Sequence, residues 1–403
     1  MKKVSILGLC LLAIGSASAQ KSLVKEVERN LKSNPASYPE QMNRLAPAFT
    51  NAETASDPQT WVIAGKAAYA FYDQQSVFAQ MGKDVNKKNL GLSVLQGYDY
   101  FCKALPLDSV PDNKGKVKPK YSKEIVKQVA NHYSDFNNAA LFLWEAEDYA
   151  NAVKVWEAYV SIPEVPAFKD AIKAQPDTII AETLYNMGIG NSLTQNNEAA
   201  LDCFKRSIAK GYTKKNTFDY AISAASQLNN LQEMADLAEQ AYALYGKEDS
   251  RYIGYMINNL IDKKDFAKAD ALLDEYIAND PNNAQLYFVK GVLCDSEGKE
   301  DEAIANLKKS IEIDGNNTSA LFNYGYKIYQ KACNIDQNES ANMSNAEYNK
   351  FRAEKVDPML KESATYLEKV LTLDETMSDA RQVLRSIYYN LNDEENLKRI
   401  EEM

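Results

Sequence analysis

The chain has 403 residues, 45% apolar and 25% charged, and its 46 basic and 56 acidic side chains give a net charge of −10. That composition suits a globular chain, and its acidity argues against broad adhesion to nucleic acid or anionic membrane, so no nucleic-acid partner is expected. With 16 Gly and 12 Pro, turn residues are too scarce for a many-stranded sandwich or barrel, and a single histidine, His132, excludes histidine-rich metal centres.

The N-terminus reads as a targeting segment. Lys2 and Lys3 precede an apolar run from Val4 to Ile14, and Ala17-Ser18-Ala19 forms a small-x-small cleavage site before Gln20. Residues 1–19 are therefore expected to be a signal peptide cleaved after Ala19, leaving an exported, periplasmic protein. A lipid anchor on Cys10 is not expected. The bulky Leu9 precedes it, and cleavage there would cut the apolar run in half. No later stretch approaches the ~18 apolar residues of a membrane span. Cys102, Cys203, Cys294 and Cys333 match neither a dense disulfide framework nor a metal knuckle, and read as buried thiols.

Residues 20–132 read as degenerate helical repeats. A capping helix pair is expected over 21–50. Asp57-Pro58 then starts a helix carrying Trp61, Ala64-Gly65 and Tyr69. A long connection over 73–90 leads to a second helix with Gly97, Phe101, Ala104 and Asp108. The basic run Lys114, Lys116, Lys118, Lys120 and Lys123 reads as a solvated loop. His132, beside Tyr133 and Asp135, reads as structural. Residues 133–180 form a divergent repeat, pairing Phe136, Ala140 and Leu143 with Tyr149, Ala152, Trp156 and Tyr159, followed by an irregular insertion from Ile162-Pro163 to Asp177.

From 181 to 403 a period near 34 residues governs the chain. In Ala284–Asn317, Tyr287 occupies position 4, Gly291 position 8, Ala303 position 20, Leu307 position 24 and Ser310 position 27. Small residues at 8, 20 and 27 let two antiparallel helices cross closely, while large ones fill the space beside the crossing. The frame fits Ala181–Lys214, Lys215–Glu248 and Ser250–Asn283. It fits Thr318 onward once a helical insertion near 331–358 is allowed, with Ser363, Leu367 and Val370 at 20, 24 and 27. A last pair starts near Ser378, with Glu394–Met403 as its polar cap. Within the insertion, Ser344-x-x-Glu347 is a capping box that starts a helix at Asn345, and Pro358 kinks or restarts it.

These positions resemble the tetratricopeptide repeat (TPR). The signal peptide, the degenerate early repeats and the late split repeat also resemble secreted TPR proteins of Gram-negative bacteria. The resemblance implies an all-α TPR-type superhelix, or solenoid, of about six to eight helix pairs. It implies a non-enzymatic scaffold that binds a protein or peptide partner in a concave groove lined by the first helix of each repeat. Positions 2, 5, 6, 9, 12 and 13 then face the groove. They include Tyr185, Asn186, Tyr220, Arg251, Tyr255, Asn258, Phe288, Asn323, Tyr326 and Tyr329. Tyrosine with asparagine suits peptide recognition, because the ring covers apolar surface and the amide pairs with backbone groups. Lysines are missing from the positions that would clamp a C-terminal carboxylate. The rival reading is a carbohydrate-binding accessory protein that stacks sugar rings on the same tyrosines. No phosphate-binding glycine loop, Cys-x-x-Cys pair or serine elbow is present, so no catalytic residue, metal or cofactor is expected.

Overall fold

The computed structural model describes residues 20–403 except 112, 113, 247 and 342. The proposed signal peptide, with Cys10, lies outside the described residues. Among the described residues there is no strand, and no helix is long and apolar enough to cross a membrane. The described residues are all-α, and most of their helices pack against sequence neighbours. The chain divides into two compact units, one ending at Leu228 and the other starting at Asn229.

In the first unit, α1 (20–33) and α2 (Tyr38–Leu45) form an N-terminal cap. Val24, Val27 and Leu31 bury against Ile63, Ala67 and Phe71 of α4 (Pro58–Gln80), after the single turn α3 (Ala52–Ala55). α4 packs along α5 (Lys87–Asp108). The long connection expected over 73–90 is corrected here, because only residues 81–86 join these helices. The stretch after Tyr72 is polar but helical. It ends at Gly82 (φ 71°), where the Gly82 amide donates to the Ala79 carbonyl and the Lys83 amide to the Phe78 carbonyl. α6 (Ser122–His132) follows and includes Lys123, which is therefore not part of the basic loop. α7 (Asp135–Glu145) pairs with α8 (Tyr149–Ser161), and α9 (Asp177–Leu193) with α10 (Asn197–Ala209); α11 (Lys215–Gln227) packs on α10. The irregular stretch after α8 sends Phe168 and Ile172 into the core.

In the second unit, α12 (Leu231–Tyr245) packs on α13 (Arg251–Asp262), and α13 pairs with α14 (Phe266–Asn279). α15 (Ala284–Ser296) pairs with α16 (Glu300–Ile313). α17 (Thr318–Glu339) runs two turns beyond its repeat before α18 (Asn345–Phe351), a π turn over Arg352–Val356, and its partner α19 (Asp357–Leu373). The Ser344–Glu347 capping box forms on both sides. Arg352 closes the insertion, pairing with Asp357 at 3.0 Å and donating to the Asn390 carbonyl at 2.9 Å. α20 (Ser378–Asn390) and α21 (Glu394–Glu402) end the array, with Ile400 buried.

The helix crossings explain the sequence period. A Cβ built on Gly291 would lie 2.8 Å from Leu307 Cγ, and one on Gly188 would lie 2.5 Å from Phe204 Cε1. The serines do more than stay small. Ser207 Oγ donates to the Ala181 carbonyl at 2.6 Å, and Ser310 Oγ repeats the bond to Ala284 at 2.7 Å. Both are fully buried, so at these two crossings the position-27 residue supplies a donor as well as a small volume.

A second periodic feature is conformational. Glu147, Gln195, Asn229, Lys264 and Asn392 all have φ between 53° and 59°, and Gly298 has φ 78°. Each occupies position 15, just past the end of a helix. At Gln195, Lys264, Gly298 and Asn392 the residue's amide and the next one donate back to the last helical turn. An L-residue pays roughly 1–2 kcal/mol for this geometry, less the ~0.4–1 kcal/mol of entropy that glycine gains when unfolded. Lys264→Gly is expected to stabilise by about 0.5–1 kcal/mol. Gly298→Lys should destabilise by a similar amount, and thermal melts of the two variants check both signs.

The four described cysteines are free thiols. Burial pushes the Cys203 thiol up to about 11, so it should resist alkylation in the native protein and react only after denaturation. Mass spectrometry after labelling under both conditions tests this.

Candidate functional site

The ten groove residues divide between the units. In the first unit, Tyr185 and Tyr220 come together with ring centroids 6.3 Å apart. Tyr185 also meets Tyr212 at 5.1 Å, and Tyr220 stacks on the buried Phe204 at 5.8 Å. Lys214 Nζ sits over the Tyr212 ring. Tyr220 is 43% exposed, and Asn186 is half-buried on the same helix as Tyr185. Burial raises the Tyr185 hydroxyl above its ordinary range, and Tyr220 and Tyr212 add to this.

In the second unit, α13 carries Arg251, Tyr255 and Asn258. Arg251 pairs with Asp249 at the helix entrance, so its guanidinium is committed to its own loop. Tyr255 is half-buried and Asn258 exposed. Phe288 on α15 packs against the buried cluster of Leu307, Tyr324 and Ile328, so it serves the core as well as the surface.

The densest grouping lies on α17. Phe322 and Tyr326 are stacked at 5.9 Å with 4° between planes, and Tyr329 follows at 6.5 Å from Tyr326. Their spacings of four and three residues set all three rings on one helix face. Asn323 is half-buried beside them and donates to the Ser319 carbonyl. Two clefts meet at Tyr329. One, of about 490 Å³, is lined by Asp295, Lys327, Tyr329, Gln330, Cys333 and Asn334 among others. The other, of about 440 Å³, is lined by Tyr329, Gln382, Arg385, Ser386, Tyr389 and Asn390 among others. Burial raises the Tyr329 hydroxyl, and the neighbouring Cys333 thiol adds to this.

Most charges here are matched, the exception being Glu300 in the first cleft, which has no ion pair among the described residues. Lys327 pairs with Asp295 at 2.5 Å, and Arg385 with Glu401 at 3.0 Å. Beside Glu300, what remains is mainly amide and aromatic surface. Gln330, Asn334 and Gln382 make no side-chain hydrogen bond among the described residues. This face can offer rings to apolar side chains, and amides to peptide N–H and C=O groups.

Tyr389 was absent from the sequence-derived groove, yet it is 74% exposed and shares the second cleft with Tyr329. Counted from Ser378, Tyr389 is at position 12, as Tyr329 is when counted from Thr318. Gln382, Ser386 and Asn390 fall at 5, 9 and 13 of the same count. The groove periodicity therefore continues into the last repeat.

No family model and no curated protein matches the sequence. Solved structures with which it shares a helical-repeat arrangement include YrrB, described as a TPR protein with an unusual peptide-binding site. That match is 15% identical at TM-score 0.34 and covers 50% of this chain and 96% of YrrB. A TPR repeats protein from Bacteroides fragilis matches at 18% identity and TM-score 0.31, covering 64% of this chain and 98% of its own. A monomeric IFIT1 mutant solved with m7Gppp-AAAA matches at 15% identity and TM-score 0.40, covering 85% of this chain and 67% of its own.

Proposed function

We propose that this chain is an exported, periplasmic, non-enzymatic scaffold that binds an extended segment of a protein partner along the face built by α15, α17 and α20. The observation that carries the reading is the repeat-to-repeat recurrence of groove positions on that face. Tyr329 and Tyr389 both stand at position 12 and share one cleft, with uncommitted amides around them and paired charges at the edges. An extended peptide presents side chains and backbone amides in alternation, and aromatic rings with amides answer both. Solenoids display such surfaces over several repeats, which suits an adaptor. The acidic balance of the chain agrees with a protein partner rather than nucleic acid.

Tyr389 is the sharpest test because its ring is mostly in solvent. Tyr389→Ala is expected to leave the melting temperature unchanged and to weaken partner binding at least tenfold, as truncation of an interface aromatic does. Pull-down from envelope extract, followed by titration of the captured partner against both proteins, reads this. Unchanged affinity contradicts the proposed face, and binding confined to glycans on an array favours the carbohydrate alternative. Export is checked separately. The intact mass of protein purified from the envelope should begin at Gln20, and a diacylglyceryl-modified Cys10 would refute the cleavage proposed.

A further inference from the structure

We propose that Asp73, His132 and Asp135 form a binding site in the first unit for a divalent transition cation of the zinc class. The three side chains come from α4, α6 and α7, far in sequence from the aromatic face. One ligand atom from each lies within 4.8 Å of the other two. His132 is 7% exposed and its ring packs on Tyr69, with centroids 4.1 Å apart. Its Nδ1 lies 2.9 Å from the Gln128 carbonyl oxygen. A carbonyl only accepts, so Nδ1 keeps a proton and donates, and Nε2 is the atom turned to the carboxylates. That arrangement, a backbone acceptor fixing one nitrogen while the other faces the ligand, is how metal-binding histidines are oriented.

Nε2 stands 3.2 Å from Asp73 Oδ1. At a tetrahedral zinc with bonds of roughly 2.0–2.1 Å, neighbouring ligand atoms are separated by about 3.3–3.4 Å, so this edge needs little adjustment. The Asp135 carboxylate is half-buried and makes no hydrogen bond or ion pair among the described residues. A hydrogen bond between His132 and Asp73 accounts for one carboxylate and leaves the second with no hydrogen bond, whereas a cation uses both. Binding replaces the proton between Nε2 and Asp73, which leaves to solvent. The donor set of one imidazole nitrogen and two carboxylate oxygens selects the class. Calcium and magnesium prefer oxygen alone, while imidazole suits zinc and its first-row neighbours. The Asp73 side chain is 62% exposed, which leaves the fourth position to water. A cation here would tie α4 to the start of α7 through α6.

The test titrates the mature chain with Zn²⁺ by calorimetry and with Co²⁺ by visible absorption. One equivalent of Zn²⁺ should bind, and the Co²⁺ complex should show d–d bands without sulfur charge transfer. Asp73→Asn and Asp135→Asn should each weaken binding at least tenfold with unchanged circular dichroism, and His132→Gln should abolish it. His132 is buried, so its variant can lose structure. The two aspartate variants, one of them on an exposed side chain, keep the test decisive. No uptake by the wild-type protein, uptake indifferent to both aspartate variants, or a Co²⁺ spectrum with thiolate bands would each overturn the proposal.

Discussion

Leucine at Gly188 is expected to destabilise the first unit by about 3 kcal/mol, the upper end of the overpacking range. Even the first added carbon would sit 2.5 Å from Phe204 Cε1 and 2.7 Å from Cζ. Phe204 has no surface exposure and packs between the rings of Tyr185 and Tyr220, so it has nowhere to go. The helices α9 and α10 must part. The buried bond from Ser207 to the Ala181 carbonyl at the same crossing is then lost as well. For a unit of this size the melting temperature should fall by roughly 6–12 °C. A control comes from Gly254, in the interior of α13, where an added Cβ meets nothing within 4 Å. Gly254→Ala should stabilise by up to about 1 kcal/mol through helix propensity alone. If both glycines respond alike, steric crossing is not what selects glycine at position 8.

Asp108→Ala is the second large effect expected, at about 2–3 kcal/mol. The Asp108 side chain is 7% exposed and caps α6 from a distance. It accepts the backbone N–H groups of Lys120, Tyr121 and Ser122 at 2.9, 2.8 and 2.7 Å, and the Ser122 hydroxyl at 2.7 Å. Alanine leaves these donors without a partner where α6 begins, and charge-assisted hydrogen bonds of this kind are among the stronger ones. Burial pushes the Asp108 carboxyl up, but the bonds from Ser122 and the three amides outweigh it and hold the pKa below the usual range. The sign follows. A carboxyl depressed in the folded state stabilises above its unfolded pKa, about 3.9, and that stability is lost as pH falls through the folded value. The gap between wild type and Asp108→Ala should therefore be widest near neutral pH and shrink below about pH 4. Urea melts across that range measure it.

Much of this architecture was legible because it depends on side-chain volume at fixed spacing. The glycine facing residue 24 and the small residue at 27 leave a periodic mark in the sequence, and the structure puts them in contact. Other features leave none. Position 15 needs a left-handed residue, yet Glu147, Gln195 and Lys264 are ordinary helix formers that context forces into that geometry. Asp108 caps a helix twelve to fourteen residues away, beyond any local capping pattern. The last turns of α4 are half-exposed and largely polar, which made them resemble a loop. The boundary after Leu228 falls inside a repeat that the 34-residue frame passes through without a break. At the candidate site, Tyr326 and Tyr329 were legible from the frame. Phe288 was only half so, since a side chain at a groove position can also reach the core.

Site-specific photo-crosslinking in living cells tests the α15–α17–α20 face most directly. A photoreactive amino acid would replace Tyr389, Gln382 or Gln330 on that face, and Lys309 on α16 as an exposed position off it. The same discrete protein adduct is expected from the three face positions, and none from position 309. Adducts that form equally well from position 309, or none from the face while the protein is present and folded in the envelope, would contradict the proposed face.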